Sequence, residues 1–477
     1  MDLGFLQFER YRFRWIMVLA ATGSAIGFSN VINFPGLVGK HGGGAFLLIY
    51  LLCKLCVAIP VIMAEMALGR RTRQSPSHGM EMLAVDSHRT LRWRWLGKLS
   101  MVAGLMILAV YSVVFSWSFA YLTQLVNLDA QQGEDFFYRL FLELMSRPEL
   151  GAFYQLLFIG ILVVIVGTGI RRGIQAGVVV FVPLLLVCAL LLGGYSAMNE
   201  GFVAALDKVF MPRWQDLSWS AVLSAIQHAF FTLGVGVGAV WAYSSFMDRD
   251  QSIGRTGIAV AVIDLIVSLL VALFVWGSLL TNGHEPVSGA NLLFQQLPGL
   301  VPINWSVVFF LFMVLSGITS SIFLMEPSVQ WLMEWRRISR LSAVLMVAIV
   351  VLLMGLLAQL SFSLLAEVYW YGRNFYENLV FLSSGLLVPI AGFGTALFVG
   401  WFMHPSEVHQ EIRPSHPVRY ATWLWSLRFI SILAIGLVFF AALEQYLGLQ
   451  MQVSLAIVVS SLFLAFALRR VLRDART

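Results

Sequence analysis

Runs of about 20 apolar residues, each long enough at 1.5 Å per helical residue to cross the hydrocarbon of a bilayer, recur twelve times along this chain. They fall at roughly 14–39, 43–69, 97–125, 151–170, 173–198, 218–247, 254–281, 303–335, 338–361, 376–403, 418–447 and 450–470. Of the 477 residues 59% are hydrophobic and only 12% charged, and the mean hydropathy is +0.83, which excludes an ordinary water-soluble globule. The pattern predicts an all-α polytopic membrane protein with twelve transmembrane helices in one domain, 1–477, embedded in a lipid bilayer. The first run follows "FERYRFR" directly and carries no small-residue cleavage site, so it reads as a retained span and not as a signal peptide.

Loop charges orient the chain. If the N-terminus is inside, the cytoplasmic ends hold the great majority of the 31 Lys and Arg residues, from Arg10, Arg12 and Arg14 through Arg70 to Lys98 and on to Arg469 to Arg476. Both termini are therefore expected in the cytoplasm, and a bacterial inner membrane is the expected host. The net charge of +6 follows from topology and gives no hint of nucleic acid. Lys54 and Arg428 stand apart, because they lie inside spans. Cys53 and Cys56 in "CKLC" read as thiols on a membrane helix, not as a metal or redox pair.

Two spans carry their own breakers. The stretch "ATGSAIGFSNVINFPGLVGKHGGGAF", Ala21 to Phe46, is interrupted by Gly23, Gly27 and Pro35, and "HAFFTLGVGVGAVWAY", His228 to Tyr243, alternates Gly234, Gly236 and Gly238 with valines. An unpaired backbone group in hydrocarbon costs several kcal/mol, so unwound backbone persists only where protein or a water-filled cavity satisfies it. The two segments open successive groups of five spans, and an odd number forces the second group into inverted topology. Discontinuous helices at matching positions of inverted repeats point to a transporter's binding site near the midplane. The repeats are expected at about 14–198 and 218–403, with extra helices at about 418–470.

The runs "GSAIGFSNVINFP…GGGAF", "AEMALGR", "FFTLGVGVGAVWAYSSF" and "SGITSSIFLMEP" occur in family order and resemble the neurotransmitter:sodium symporter family, in its bacterial amino-acid branch with the leucine-transporter-like fold. The resemblance implies a sodium-coupled secondary active symporter of a neutral, hydrophobic or aromatic amino acid that works by alternating access. A carrier of an amine or other non-carboxylate solute, or a non-transporting receptor of the same fold, is the alternative. No enzyme is implied, since "HPSEVHQE", His404 to Glu411, has no matching cluster elsewhere.

One or two sodium ions are implied, with residues carried over from the family's motifs. The second sodium site falls on the carbonyls of Gly23, Ile26 and Ser316 and the hydroxyls of Thr319 and Ser320. The first falls on Ala25, Asn30, Thr232 and Asp264, where Asp264 replaces the family's Asn. Equivalents of the family's chloride site are Tyr50, His228 and Ser268. Asp264 is expected to supply the negative charge that chloride supplies elsewhere, so chloride is not expected to be required; sodium and His228 are the expected partners of that acid. A competing reading makes Asp264 and His228 proton carriers. For substrate the resemblance implies Ser24, Ala25, Phe28, Ser29, Ile107, Tyr111, Phe231, Thr232, Gly234, Val237, Ser320 and Leu324. Gly27 stands where amine carriers place an Asp. The family's outer Arg–Asp gate is missing, with Asn33 and Val380 in its place, and Phe231 stacked over Tyr111 is the expected substitute. An inner latch is expected between Glu9 to Arg12 and Glu334.

Overall fold

A computed structural model describes residues 14–128, 132–284, 289–413 and 416–447, and among these all regular structure is helical. Nine helical segments are long and apolar enough to cross a membrane: Gly44–Thr72, Leu91–Val126, Pro148–Gly167, Ile170–Ala197, Ile253–Thr281, Ile303–Arg336, Arg340–Leu360, Phe375–Phe402 and Pro417–Tyr446. They are spans two to five and seven to eleven of the sequence reading. Span one is the bent pair Trp15–Ala25 and Phe28–Lys40, turned by 53° at the break. Span six is likewise divided, into Trp219–Thr232 and Ala239–Ser245. The twelfth run, 450–470, lies outside the described residues.

Burial separates the interior of the bundle from its rim. In spans three and eight, 83% of the most apolar window is buried inside the protein, against 33% in spans four and five. Apolar residues such as Val180, Leu190 and Leu353 remain exposed on the outer faces, as expected where lipid is the solvent. Spans three and eight pack along one another, while the first half of span one sits among spans five, seven and eight. The second half of span six packs on span two. This arrangement brings the two breaks together inside the bundle, where protein groups satisfy their backbone.

In span one, the Gly27 N–H donates to Asn30 Oδ1 at 3.1 Å. In span six, Gly234, Gly236 and Gly238 have φ of 66°, 81° and 77°, a left-handed run that side chains resist. The Gly236 N–H donates to Glu65 Oε1 at 2.8 Å, so a fully buried side-chain carboxyl of span two holds the second break open.

Candidate functional site

The nominated second sodium site assembles from the break of span one and the middle of span eight. The Ser320 hydroxyl lies 3.2 Å from the Gly23 carbonyl oxygen and 2.9 Å from that of Ile26, and bonds both. Thr319, one residue earlier, donates to the carbonyls of Leu315 at 3.0 Å and Ser316 at 3.2 Å. Close approach here requires Gly23, since a Cβ would lie 2.7 Å from Val182 Cγ2 and 3.3 Å from Thr319 Cβ. Hard neutral oxygens converging without a charge are the donor set that suits a monovalent hard cation. The residues fit sodium.

Beside it is a small pocket between the two breaks. Every nominated substrate residue except Phe28 lines it, joined by Gly27, Asn30 and Ala239, and none of the lining side chains is charged. Phe28 instead packs edge-on against Tyr111, with ring centroids 4.8 Å apart. A Cβ on Gly27 would stand 2.6 Å from the Tyr111 hydroxyl and 3.2 Å from that of Ser320. A side chain at this position would have to push the Tyr111 and Ser320 hydroxyls aside. The pocket has a volume of about 20 Å³, room for a single water.

A vestibule of about 1040 Å³ opens above this pocket. It extends from Lys40, His41, Lys208 and His284 down to Phe28 and His228. Ser29, Ile107, Tyr111 and Phe231 line both spaces and so form the partition between them. The expected Phe231–Tyr111 stack is absent among the described ring contacts, where Tyr111 instead meets Phe28. Asn33 and Val380 both line the vestibule, where the Asn33 amide donates to Ser29 Oγ at 3.4 Å.

Asp264 departs from the sequence reading. Its ion-pair partner is Lys54, with both side chains buried; neither sodium nor His228 is needed to explain it. The Lys54 ammonium also donates to the Tyr50 hydroxyl at 2.9 Å. On the other side of the carboxylate, the Asn30 amide donates to Asp264 Oδ1 at 2.6 Å and to Ser268 Oγ at 2.8 Å. His228 sits apart, its Nδ1 3.4 Å from Ser29 Oγ and its ring 5.5 Å from Phe34 and 5.6 Å from Tyr50. Of the groups expected at the first sodium site and at the anion site, Asn30, Asp264, Ser268 and Tyr50 join Lys54 in one chain, Ser268–Asn30–Asp264–Lys54–Tyr50, while Ala25 and Thr232 line the small pocket and His228 the vestibule. Lys54 and Glu65 are the residues that sequence reasoning did not assign. Both were visible as charges inside an apolar run, the signal that marks functional groups in membranes.

Opposite the vestibule the bundle is tied shut. Glu334 takes hydrogen bonds from Ser75, whose N–H lies 2.9 Å away, and bonds His78 Nδ1 at 2.7 Å. Arg70 and Arg71 pair with Glu411 and Glu407, and Arg340 grips the buried Glu326. The expected latch partners of Glu334, residues 9–12, lie outside the described residues.

Comparison with known proteins agrees with this geometry. Residues 9–131 and 124–469 match the profile of the sodium:neurotransmitter symporter family. The sodium-dependent transporter YhdH of Bacillus subtilis is 29% identical over 88% of this chain and 95% of its own length. A mouse sodium-dependent neutral amino acid transporter, B(0)AT2, is 26% identical over 61% of this chain and 44% of its own. The crystal structure of MhsT in complex with L-phenylalanine superposes with a TM-score of 0.83 at 31% identity, covering 91% of this chain and 99% of that one. With its first and sixth spans unwound around one pocket in a five-plus-five bundle, and with most of its length matched, the chain belongs to the sodium:neurotransmitter symporter family as a divergent, sodium-dependent, multi-pass membrane transporter.

Proposed function

We propose that the chain takes up a neutral, apolar amino acid together with sodium across a bacterial inner membrane, by alternating access and with both termini in the cytoplasm. The observation that carries this reading is the uncharged lining of the pocket between the breaks, with Gly27 seated under the Tyr111 hydroxyl. A zwitterion supplies both its own charges, so it suits a pocket of hydroxyls and backbone groups. A bare amine would need a carboxylate, and Asp264, bonded to the pocket residue Asn30, is already paired with Lys54. The substrate carboxylate would meet the backbone N–H groups around Phe28 and Ser29 and the Tyr111 hydroxyl. Its amine would meet the carbonyls of Ala25, Phe231 and Thr232 and the hydroxyl of Ser320. Ile107, Val237 and Leu324 would surround an aliphatic or aromatic side chain. MhsT, solved with L-phenylalanine, and the mouse neutral amino acid transporter support the substrate class. Because about 20 Å³ admits one water, substrate entry must push the Tyr111–Phe231 partition toward the vestibule. A sodium gradient across proteoliposomes should drive accumulation of leucine-like or phenylalanine-like amino acids and not of their decarboxylated amines. Binding of the amino acid without accumulation would make the protein a receptor and overturn the reading.

A further inference from the structure

We infer that the Lys54 ammonium is a resident cation that fills the electrostatic place of one sodium, leaving the transporter to couple a single sodium, at Gly23, Ile26, Ser316, Thr319 and Ser320, to each substrate. The inference rests on the sodium-symport reading above. The hydrogen-bond directions around Asp264 carry it. Ser268 has one hydroxyl proton, which it donates to the Asp264 backbone carbonyl at 2.8 Å. Its oxygen must therefore accept from Asn30, which fixes the Asn30 amide with its nitrogen toward Ser268 and Asp264. The reverse orientation would set the amide oxygen against a carboxylate oxygen at 2.6 Å. The Asn30 oxygen is turned away, toward the Gly27 N–H.

Both Asp264 oxygens are thus engaged, one by Asn30 and the other by Lys54. Lys54 and Asp264 together are net neutral. A second sodium beside them would add an uncompensated positive charge within a few ångströms of an ammonium, in a water-poor interior where like charges repel strongly. The second site has no such occupant. Its hydroxyls donate only to backbone carbonyls, Ser320 to Gly23 and Ile26 and Thr319 to Leu315 and Ser316, and the Ser320 proton can turn away to leave its oxygen and the two span-one carbonyls to a cation. Lys54 reaches Asp264 from the first turn of a π-helical segment, Lys54–Ala58, a local widening often found at functional positions.

The test measures the ratio of sodium to substrate. Reversal-potential measurements on the parent protein in proteoliposomes, together with equilibrium binding of radioactive sodium to the detergent-purified protein, should both give one sodium per substrate. Lys54→Met leaves the Asp264 carboxylate unpaired and should take up a second sodium, turning a hyperbolic sodium dependence of the melting temperature into a sigmoidal one. Lys54→Arg keeps the charge and should stay at one. Two sodium ions in the parent overturn the inference and leave the symport reading intact, whatever the variants do. An absence of both sodium binding and coupling removes the symport reading itself, so the two failures are distinguishable.

Discussion

Asp264 and Lys54 place two charges inside a membrane bundle, and each is tolerated because the other neutralises it. Removing one partner of such a pair costs about 3–5 kcal/mol, whereas removing both with similar shapes is close to neutral. Asp264→Asn should therefore destabilise the protein by that amount in a chloride-free buffer. The Lys54 ammonium, the Tyr50 hydroxyl and the Asn30 amide would then be donors around an uncompensated positive charge. Added chloride should recover part of the lost stability in that variant while leaving the parent indifferent to exchange of chloride for gluconate; chloride-dependent uptake by the parent would count against the assignment. At the proposed second sodium site, Thr319→Ala combined with Ser320→Ala removes both hydroxyls and should abolish most of the rise in melting temperature expected when sodium binds the folded state alone. Tyr111→Phe should weaken amino-acid binding by about 1–3 kcal/mol, read by calorimetry, because a substrate carboxylate oxygen loses its donor. The sequence made Asp264 legible through the cost of a buried charge. It could not pair Asp264 with Lys54, because the contact spans 210 residues and no local pattern in a single sequence encodes it.

Elements were legible where they repeat a physical length. Among the described residues, apolar runs of bilayer thickness appear as nine long helices, and the two runs in which clustered glycines were read as breakers are the two that divide. The π-helical turns, among them Lys54–Ala58 and Phe381–Leu387, were not legible. They arise from one extra residue accommodated by tertiary packing, which leaves no periodicity of its own. The break in span six offers a direct test of why its glycines are there. At Gly236 φ is +81° and a Cβ would lie 2.6 Å from the Val388 carbonyl oxygen. Left-handed backbone costs a residue with a side chain roughly 1–2 kcal/mol before any clash is counted. Gly236→Ala should thus lower the melting temperature and suppress uptake, by displacing the N–H that Glu65 holds. Gly194→Ala, in a helix interior with nothing within 4 Å, should be neutral or slightly stabilising. Equal effects from the two substitutions would remove the argument that the break is built on glycine.

As a whole molecule the protein is open on the vestibule side and tied shut on the other among the described residues, as one end state of the proposed alternating access would be. The parity of two five-span groups made this architecture readable in advance, but which side stands open depends on a balance of small terms at the two ends. His78 is the tie whose strength varies near neutral pH. Its hydrogen bond to Glu334, helped by the charges of Glu334 and Glu81, holds the imidazole above its ordinary value of 6.5, while partial burial and Lys98 act in the opposite direction. A group whose folded value is raised stabilises the fold fully below its unfolded value, and that contribution is lost as pH rises through the folded value. The tie is therefore at full strength below about pH 6.5 and weakens progressively above it. Ser75 keeps its own bonds to Glu334 throughout, so the helix Pro76–Asp86 should loosen without detaching. The difference in melting temperature between the parent and His78→Ala, followed from about pH 6 to about pH 8.5 in constant sodium, should accordingly be positive at the acid end and shrink as pH rises. His78→Gln, which donates a hydrogen bond but carries no charge, should lie near the parent at high pH and fall below it at low pH. A parent-minus-variant difference that grows with pH would mean that the neutral imidazole makes the contact, and the charge of His78 would then add nothing to the tie.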